Sequence, residues 1–219
     1  YLLENYLENN KITTLWLTAP LFNQLSEENP YMFKKVKFLL TGGDVLSPRH
    51  INMVKDANPN ITLINGYGPT ENTTFSCCFT IDQKYERSIP IGKPIANSTA
   101  YIVSKDGNLL PIGCKGELWV GGDGISKGYI NQPNLTKEKF VKSPFSNELV
   151  YKTGDLVQYD NLGNICFLGR IDNQVKVRGY RIELGEIDNV IIRFKNIKES
   201  YSTVKTINGI SRIYSYILS

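Results

Sequence analysis

The stretch Asn65-Gly-Tyr-Gly-Pro-Thr-Glu71 sets an aromatic ring, a hydroxyl and a carboxylate among glycines within seven residues. Tyr67 can lie against a purine ring, Thr70 can hold a phosphate oxygen, and the Glu71 carboxylate is a hard oxygen donor suited to Mg2+. Gly42 and Gly43, with Gly66 and Gly68, fall at the ends of two runs that read as strands, where bare backbone can approach a ligand closely. Any one of these glycines reads as turn punctuation; their company with Tyr67, Thr70 and Glu71 points to a nucleotide. Asp155, in YKTGDL, follows a Thr-Gly turn from which a carboxylate can accept two hydrogen bonds from a ribose diol. Arg170 and Asp172 stand where the sequence changes texture, a place for a hinge. The basic set Arg170, Lys176, Arg178 and Arg181 by itself reads as the solvated face of a hairpin.

Other chemistries are poorly supplied. The segment GDGISKG (122–128) has G-x-G-x-x-x-G spacing and runs into Tyr129 and Pro133 with no long helix for a pyrophosphate, so it is no dinucleotide fingerprint, and no G-x-x-x-x-G-K-[ST] loop occurs. Cys77 and Cys78 are adjacent while Cys114 and Cys166 stand alone, a set that reads as reduced thiols without metal-ligand spacing. The single histidine, His50, sits in what reads as an ordinary helix start, which argues against a Ser-His-Asp triad. With 25 Lys and Arg against 21 Asp and Glu, the net charge of +4 is scattered, leaving no footprint for nucleic acid or an anionic membrane. No apolar run approaches the roughly 20 residues that span a bilayer, and the N-terminal residues lack a signal-peptide pattern, so a cytoplasmic location is expected. The sequence lacks an initiator methionine and ends on a strand-like run, as a piece of a longer polypeptide would.

Three textures must position these groups. Residues 1–90 alternate apolar strand-like runs (12–19, 36–43, 61–68) with helical patterns near 20–28 and from Pro48, with Ser47 as cap; a mostly parallel sheet with functional loops at its strand ends is expected. Residues 91–171 carry short strands between turn residues such as Asp106-Gly107 and Leu162-Gly163-Asn164, the pattern of a small antiparallel barrel or sheet. Residues 172–219 read as a hairpin around Gly179, a helix in ELGEIDNVIIRFK, and two strands, the start of an α+β lobe.

NGYGPTE, GELWVGGDGISKGYI, YKTGDL and GRIDNQVKVRGYRIELGEID, in that order, resemble four consecutive core motifs of the amino-acid adenylation domains of nonribosomal peptide synthetases, members of the adenylate-forming superfamily. The resemblance covers essentially the whole chain. It implies the C-terminal part of that family's large subdomain, a parallel α/β layer and a distorted β-barrel, followed by the start of a mobile C-terminal lobe. On this sequence it implies that Tyr67 stacks on adenine, Thr70 meets the α-phosphate, Glu71 holds Mg2+, Asp155 binds the ribose hydroxyls, and Arg170 reaches ribose or phosphates. Gly43, Gly66 and Gly68 line the nucleotide, Asp172 is the hinge, and Lys176 and Gly179 belong to the segment that swings in for the second half-reaction. The implied substrates are ATP and an amino acid, with Mg2+. The implied acceptor is the phosphopantetheine thiol of a peptidyl carrier domain, in a synthetase that also holds a condensation domain. The phosphate loop with its lysine, the aspartate for the substrate amino group and the C-terminal lysine all fall outside residues 1–219, so this segment alone is not expected to complete the reaction.

Counting from the motifs places the family's pocket positions at Trp16, Leu40, Gly42, Gly66, Thr74 and Phe75. Trp16 and Phe75 supply bulk, Leu40 an aliphatic wall, and the glycines room, a set resembling that of valine-activating domains. The expectation is L-valine, with isoleucine next. Trp16 and Phe75 also fit a plain core role. Two further readings are an acyl- or aryl-acid CoA ligase of the same superfamily, and a fragment that binds nucleotide weakly.

Overall fold

The structure, a computed structural model, describes residues 2–172, 174–177, 180–207 and 210–219. Helix α1 (Leu2–Asn9) leads into strand β1 (Thr14–Thr18), helix α2 (Ala19–Glu28), strand β2 (Phe38–Gly42), helix α3 (Pro48–Ala57) and strand β3 (Thr62–Tyr67). Because helices return the chain between successive strands, β1, β2 and β3 pair in parallel. Each of the two crossover helices has a proline in its first turn, where the missing N–H costs nothing. Ser47 is the N-cap of α3 as expected, but its hydroxyl contacts His50 Nδ1 at 2.7 Å, and His50 Nε2 contacts Glu27 at 3.0 Å. Strands β4 (Cys77–Ile81) and β5 (Lys93–Pro94) extend the sheet antiparallel, giving the order β1-β2-β3-β4-β5. One face buries Leu17, Leu39 and Leu63 against Phe22, Phe33, Ile51 and Val54. Full burial of such side chains stabilises by about 1.5–3 kcal/mol each, so this face fixes the register.

Strands β6 (Ser98–Val103), β7 (Gly116–Gly122), β9 (Leu149–Tyr159) and β10 (Ile165–Arg170) form a second, antiparallel sheet. Helix α4 (Pro133–Lys139) precedes the short strand β8 (Phe140–Lys142), which pairs with β9. The sheet runs β10-β9-β7-β6 and does not close into the barrel the sequence reading allowed. Its Ile165 is occupied by Gly92, from the segment leading to β5: the Ile165 N–H donates to Gly92 O at 2.8 Å, and the Ile91 N–H donates to Ile165 O at 2.8 Å. That segment ties the two sheets into one compact unit, Tyr1–Gly169. Cys77 of the first sheet is buried among Ile102, Leu118, Val120, Val157 and Ile165 of the second.

A second compact unit spans Arg170–Ser219. Strands β11 (Gln174–Val177) and β12 (Tyr180–Glu183) form an antiparallel hairpin in which Lys176 is the register partner of Arg181. The expected turn residue Gly179 and its neighbour Arg178 lie outside the described residues. Helix α5 (Leu184–Ile191) stops short of the expected Lys195, as the N–H groups after the capping Ile192 reach back only three residues: Arg193 to Val190 O and Phe194 to Ile191 O. Strands β13 (Glu199–Ile207) and β14 (Ile210–Leu218) pair antiparallel. Asp188 of α5 anchors β13 by accepting from both the Ser200 and Ser202 hydroxyls at 2.7 Å. Among the described residues no helix is long and apolar enough to cross a membrane.

Candidate functional site

Strand β3 ends at Tyr67, and after Gly68-Pro69 a 3₁₀ turn (Thr70–Asn72) carries Glu71. Two side-chain links join this corner to β9. The Tyr67 hydroxyl donates to Asp155 Oδ2, across 88 residues of sequence. Glu71 Oε1 accepts from the Tyr129 hydroxyl at 2.6 Å and from the Tyr151 hydroxyl at 3.0 Å, with the two phenol oxygens 3.3 Å apart. Glu71 and Asp155 are both buried. Burial first, then the Asp155 charge and the hydrogen bond to it, push the Tyr67 hydroxyl well above the ordinary tyrosine range. Burial and the hydrogen bond to Glu71 do the same to Tyr129. Both phenols therefore stay protonated, and both carboxylates face neutral O–H donors.

The corner is also fixed through its backbone. The Ser126 N–H donates to Glu71 O at 2.8 Å, and the Thr73 hydroxyl to Gly124 O at 2.7 Å, so the GDGISKG segment, unsuited to a dinucleotide, braces the Glu71 turn. Thr73 and Thr74 have φ of 32° and 56°, a left-handed region that β-branched residues rarely enter. Thr70 is exposed on the same turn. A single hard carboxylate with no further ligand cluster suits Mg2+, which is commonly held by one or two carboxylates plus substrate phosphates; no group of three potential metal ligands occurs among the described residues.

Of the expected amino-acid pocket residues, Trp16, Leu40, Gly42 and Gly66 lie on the first sheet's other face, and Thr74 and Phe75 lie in the loop before β4. Trp16 pairs with Leu40 and Leu40 with Ile64, while Gly42 pairs with Gly66, so these positions point away from the helix-covered core. Trp16 is 43% exposed, with its ring 6.2 Å from that of Phe75. The glycines have packing reasons of their own. A Cβ on Gly42 would collide with the Gly66 carbonyl, one on Gly66 would meet the Phe75 ring at 2.5 Å, and one on Gly68 would meet Thr74 O at 2.5 Å. The space beside Gly66 is thus taken by Phe75 itself, whereas Gly43, at φ 79°, has nothing within 4 Å of a Cβ.

Arg170, Asp172 and Lys176 belong to the second unit. Arg170 grips Asp172 with both prongs, Nε to Oδ1 at 2.9 Å and Nη2 to Oδ2 at 2.5 Å, so the expected nucleotide-contacting arginine and the expected hinge residue pair with each other. Sequence reasoning missed Tyr129 and Tyr151. Both lie inside stretches singled out for other residues, and only the fold brings them to Glu71.

Residues 2–130 match the AMP-binding enzyme family. The chain belongs to that family. Its relatives include tyrocidine synthase 3 of Brevibacillus parabrevis, 55% identical over 99% of this chain and 3% of the relative, and gramicidin S synthase 2 of Brevibacillus brevis, 55% identical over 98% and 5%. The chain thus spans a small fraction of these proteins. Among solved structures, holo-PA1221, described as an NRPS protein containing adenylation and PCP domains bound to a vinylsulfonamide inhibitor, superposes with a TM-score of 0.91 at 36% identity, covering 98% of this chain and 38% of that one. A second PA1221 structure superposes with a TM-score of 0.89 at 35% identity, covering 98% and 44%. This adenylation segment therefore has the adenylation-domain fold of nonribosomal peptide synthetases, in its mixed α/β part and in its second unit alike.

Proposed function

We propose that this adenylation segment supplies the nucleoside, metal and side-chain walls of a domain that activates an amino acid with ATP. An oxygen of the amino-acid carboxylate attacks the α-phosphorus, the bond to pyrophosphate breaks, and an aminoacyl adenylate forms. The observation that carries the reading is the double link between residues 67–71 and 151–155, which gathers an aromatic ring and two buried carboxylates from distant motifs. Tyr67 offers its ring to adenine while its hydroxyl orients Asp155 toward the ribose diol. Gly43, Gly66 and Gly68 let backbone approach the nucleotide, and Thr70 meets the α-phosphate. Glu71, held by two phenols, binds Mg2+; when bound, that ion offsets the negative charge growing on the phosphate oxygens. Little covalent chemistry falls to the protein, so alignment and charge neutralisation carry the rate.

The side-chain wall of Trp16, Leu40, Gly42, Gly66, Thr74 and Phe75 fits a small branched aliphatic group, and L-valine is the proposed substrate. Isoleucine follows, since one methylene is worth only about 1–3 kcal/mol in such a pocket. The thiol of a carrier domain's phosphopantetheine then attacks the acyl carbon, taking the aminoacyl group as a thioester while AMP leaves, with residues 172–219 moving about Asp172, Arg170 reaching the nucleotide, and Lys176 and Gly179 brought to the site. Amino-acid-dependent ATP–pyrophosphate exchange by the full-length protein tests the reading. Valine should stimulate most, and stronger stimulation by phenylalanine or an acidic amino acid would refute the pocket.

A further inference from the structure

We infer that Glu117 is a positioning residue for Asp155: it holds the strand irregularity that aims this carboxylate. The inference rests on the ribose role proposed for Asp155. Along the β7–β9 pairing, Glu117 is the partner of Leu156 and Trp119 the partner of Lys152. Leu118 alone therefore stands opposite Thr153, Gly154 and Asp155. Such a bulge removes backbone groups from the ladder, and each needs another partner.

The partners come from side chains. The Gly154 N–H donates to Glu117 Oε1 at 2.9 Å, where Gly154 turns the chain at φ 71°. The Thr153 hydroxyl donates to Leu118 O at 2.7 Å and accepts from the Asp155 N–H at 3.0 Å. Glu117 is itself pinned by its second oxygen, which accepts from Trp119 Nε1 at 3.0 Å. The Trp119 ring is buried, with the Lys152 ammonium 4.9 Å from its centroid. Thus one carboxylate takes a donor from each strand, one oxygen apiece. A glutamine in its place has a single acceptor oxygen, so either Gly154 or Trp119 would face an NH2 group. Removing the indole N–H resolves that conflict and frees the amide oxygen for Gly154.

The test uses the full-length protein in amino-acid-dependent ATP–pyrophosphate exchange, with ATP and 2′,3′-dideoxy-ATP compared and thermal unfolding followed in parallel. Glu117→Gln should raise KM for ATP about tenfold, the size of one lost charge-assisted hydrogen bond, with kcat nearly unchanged. It should narrow the preference for ATP over the dideoxy nucleotide by the same factor. The double variant E117Q/W119F should recover most of both, while W119F alone should not narrow the preference as far as E117Q does. Thr153→Val, which releases the other clamp, should move KM and preference in the same direction. Asp155→Ala is the control on the ribose reading and should abolish the preference. If D155A keeps the preference, the ribose role itself fails. If D155A loses it while E117Q retains it, or if E117Q lowers only thermal stability or kcat for both nucleotides alike, Glu117 is merely structural and the inference is overturned.

Discussion

Replacing Tyr129 by phenylalanine removes a single oxygen, the donor that meets Glu71 Oε1 at 2.6 Å. The acceptor is a buried carboxylate, and a hydrogen bond to a charged group is worth about 1.5–3 kcal/mol. Tyr151 remains at 3.0 Å from the same oxygen and can tighten, which brings the expected single-variant loss to about 1–2 kcal/mol. The Tyr129→Phe/Tyr151→Phe pair should cost more than the sum of the singles, because each hydroxyl covers for the other. Since the phenols orient the proposed Mg2+ ligand, the Mg2+ concentration for half-maximal exchange should rise about tenfold in Y129F. Chemical denaturation would read the stability loss, and Mn2+ binding followed by electron paramagnetic resonance would read the metal site without turnover. Unchanged metal affinity together with unchanged stability in the double variant would refute the view that the two phenols hold Glu71.

Three other outcomes follow from the packing. The Cys77 thiol, pushed up to about 12 mainly by burial, should resist alkylation at pH 8 until the protein unfolds, whereas the exposed Cys114 should react first; mass mapping of labelled peptides reads the order. Gly66→Ala should displace the Phe75 ring, costing about 1–3 kcal/mol on thermal unfolding and raising KM for the amino acid more than KM for ATP. Asp160 accepts from the Leu162 and Asn164 N–H groups at 2.9 and 2.8 Å; burial pulls its pKa up, but these bonds and the Asn164 side chain outweigh it and hold the carboxyl below its ordinary value. Its stabilising share is therefore present above the unfolded pKa of about 3.9 and lost as pH falls through the folded value, so Asp160→Ala should cost about 1 kcal/mol at neutral pH and progressively less as pH falls through that value.

The parallel strands were legible because the apolar runs at 36–43 and 61–68 end on glycine and because β1 and β2 are each followed by a proline-led helix. The positions of Tyr67, Glu71 and Asp155 were legible for a different reason: they sit in short, dense motifs whose residue types already name a ligand chemistry. What supports those residues was not. Glu117 lies 37 residues from the N–H it accepts, and Tyr129 and Tyr151 lie 58 and 80 residues from Glu71, so no local pattern announces them. The barrel expectation failed to close because turn signals set hairpins but do not say what occupies the last strand's edge. Gly42 and Gly66, read as room for a substrate, also stand where a Cβ would meet the Gly66 carbonyl and the Phe75 ring, a constraint only packing reveals. Helix α5 ended early since Arg193 and Phe194 carry on the helical composition but their N–H groups return only three residues.

The fork between Arg170 and Asp172 makes two assignments compete for one cation. A guanidinium offers a limited set of directed N–H groups, and here two of them are spent on a carboxylate whose side chain is itself 38% exposed. Pairs in such wet surroundings are worth about 1 kcal/mol or less, so an incoming anion need only outbid a weak tenant. Asp172 also accepts from the Gln174 N–H at 3.1 Å, so the same carboxylate that holds the guanidinium secures the first residue of the hairpin.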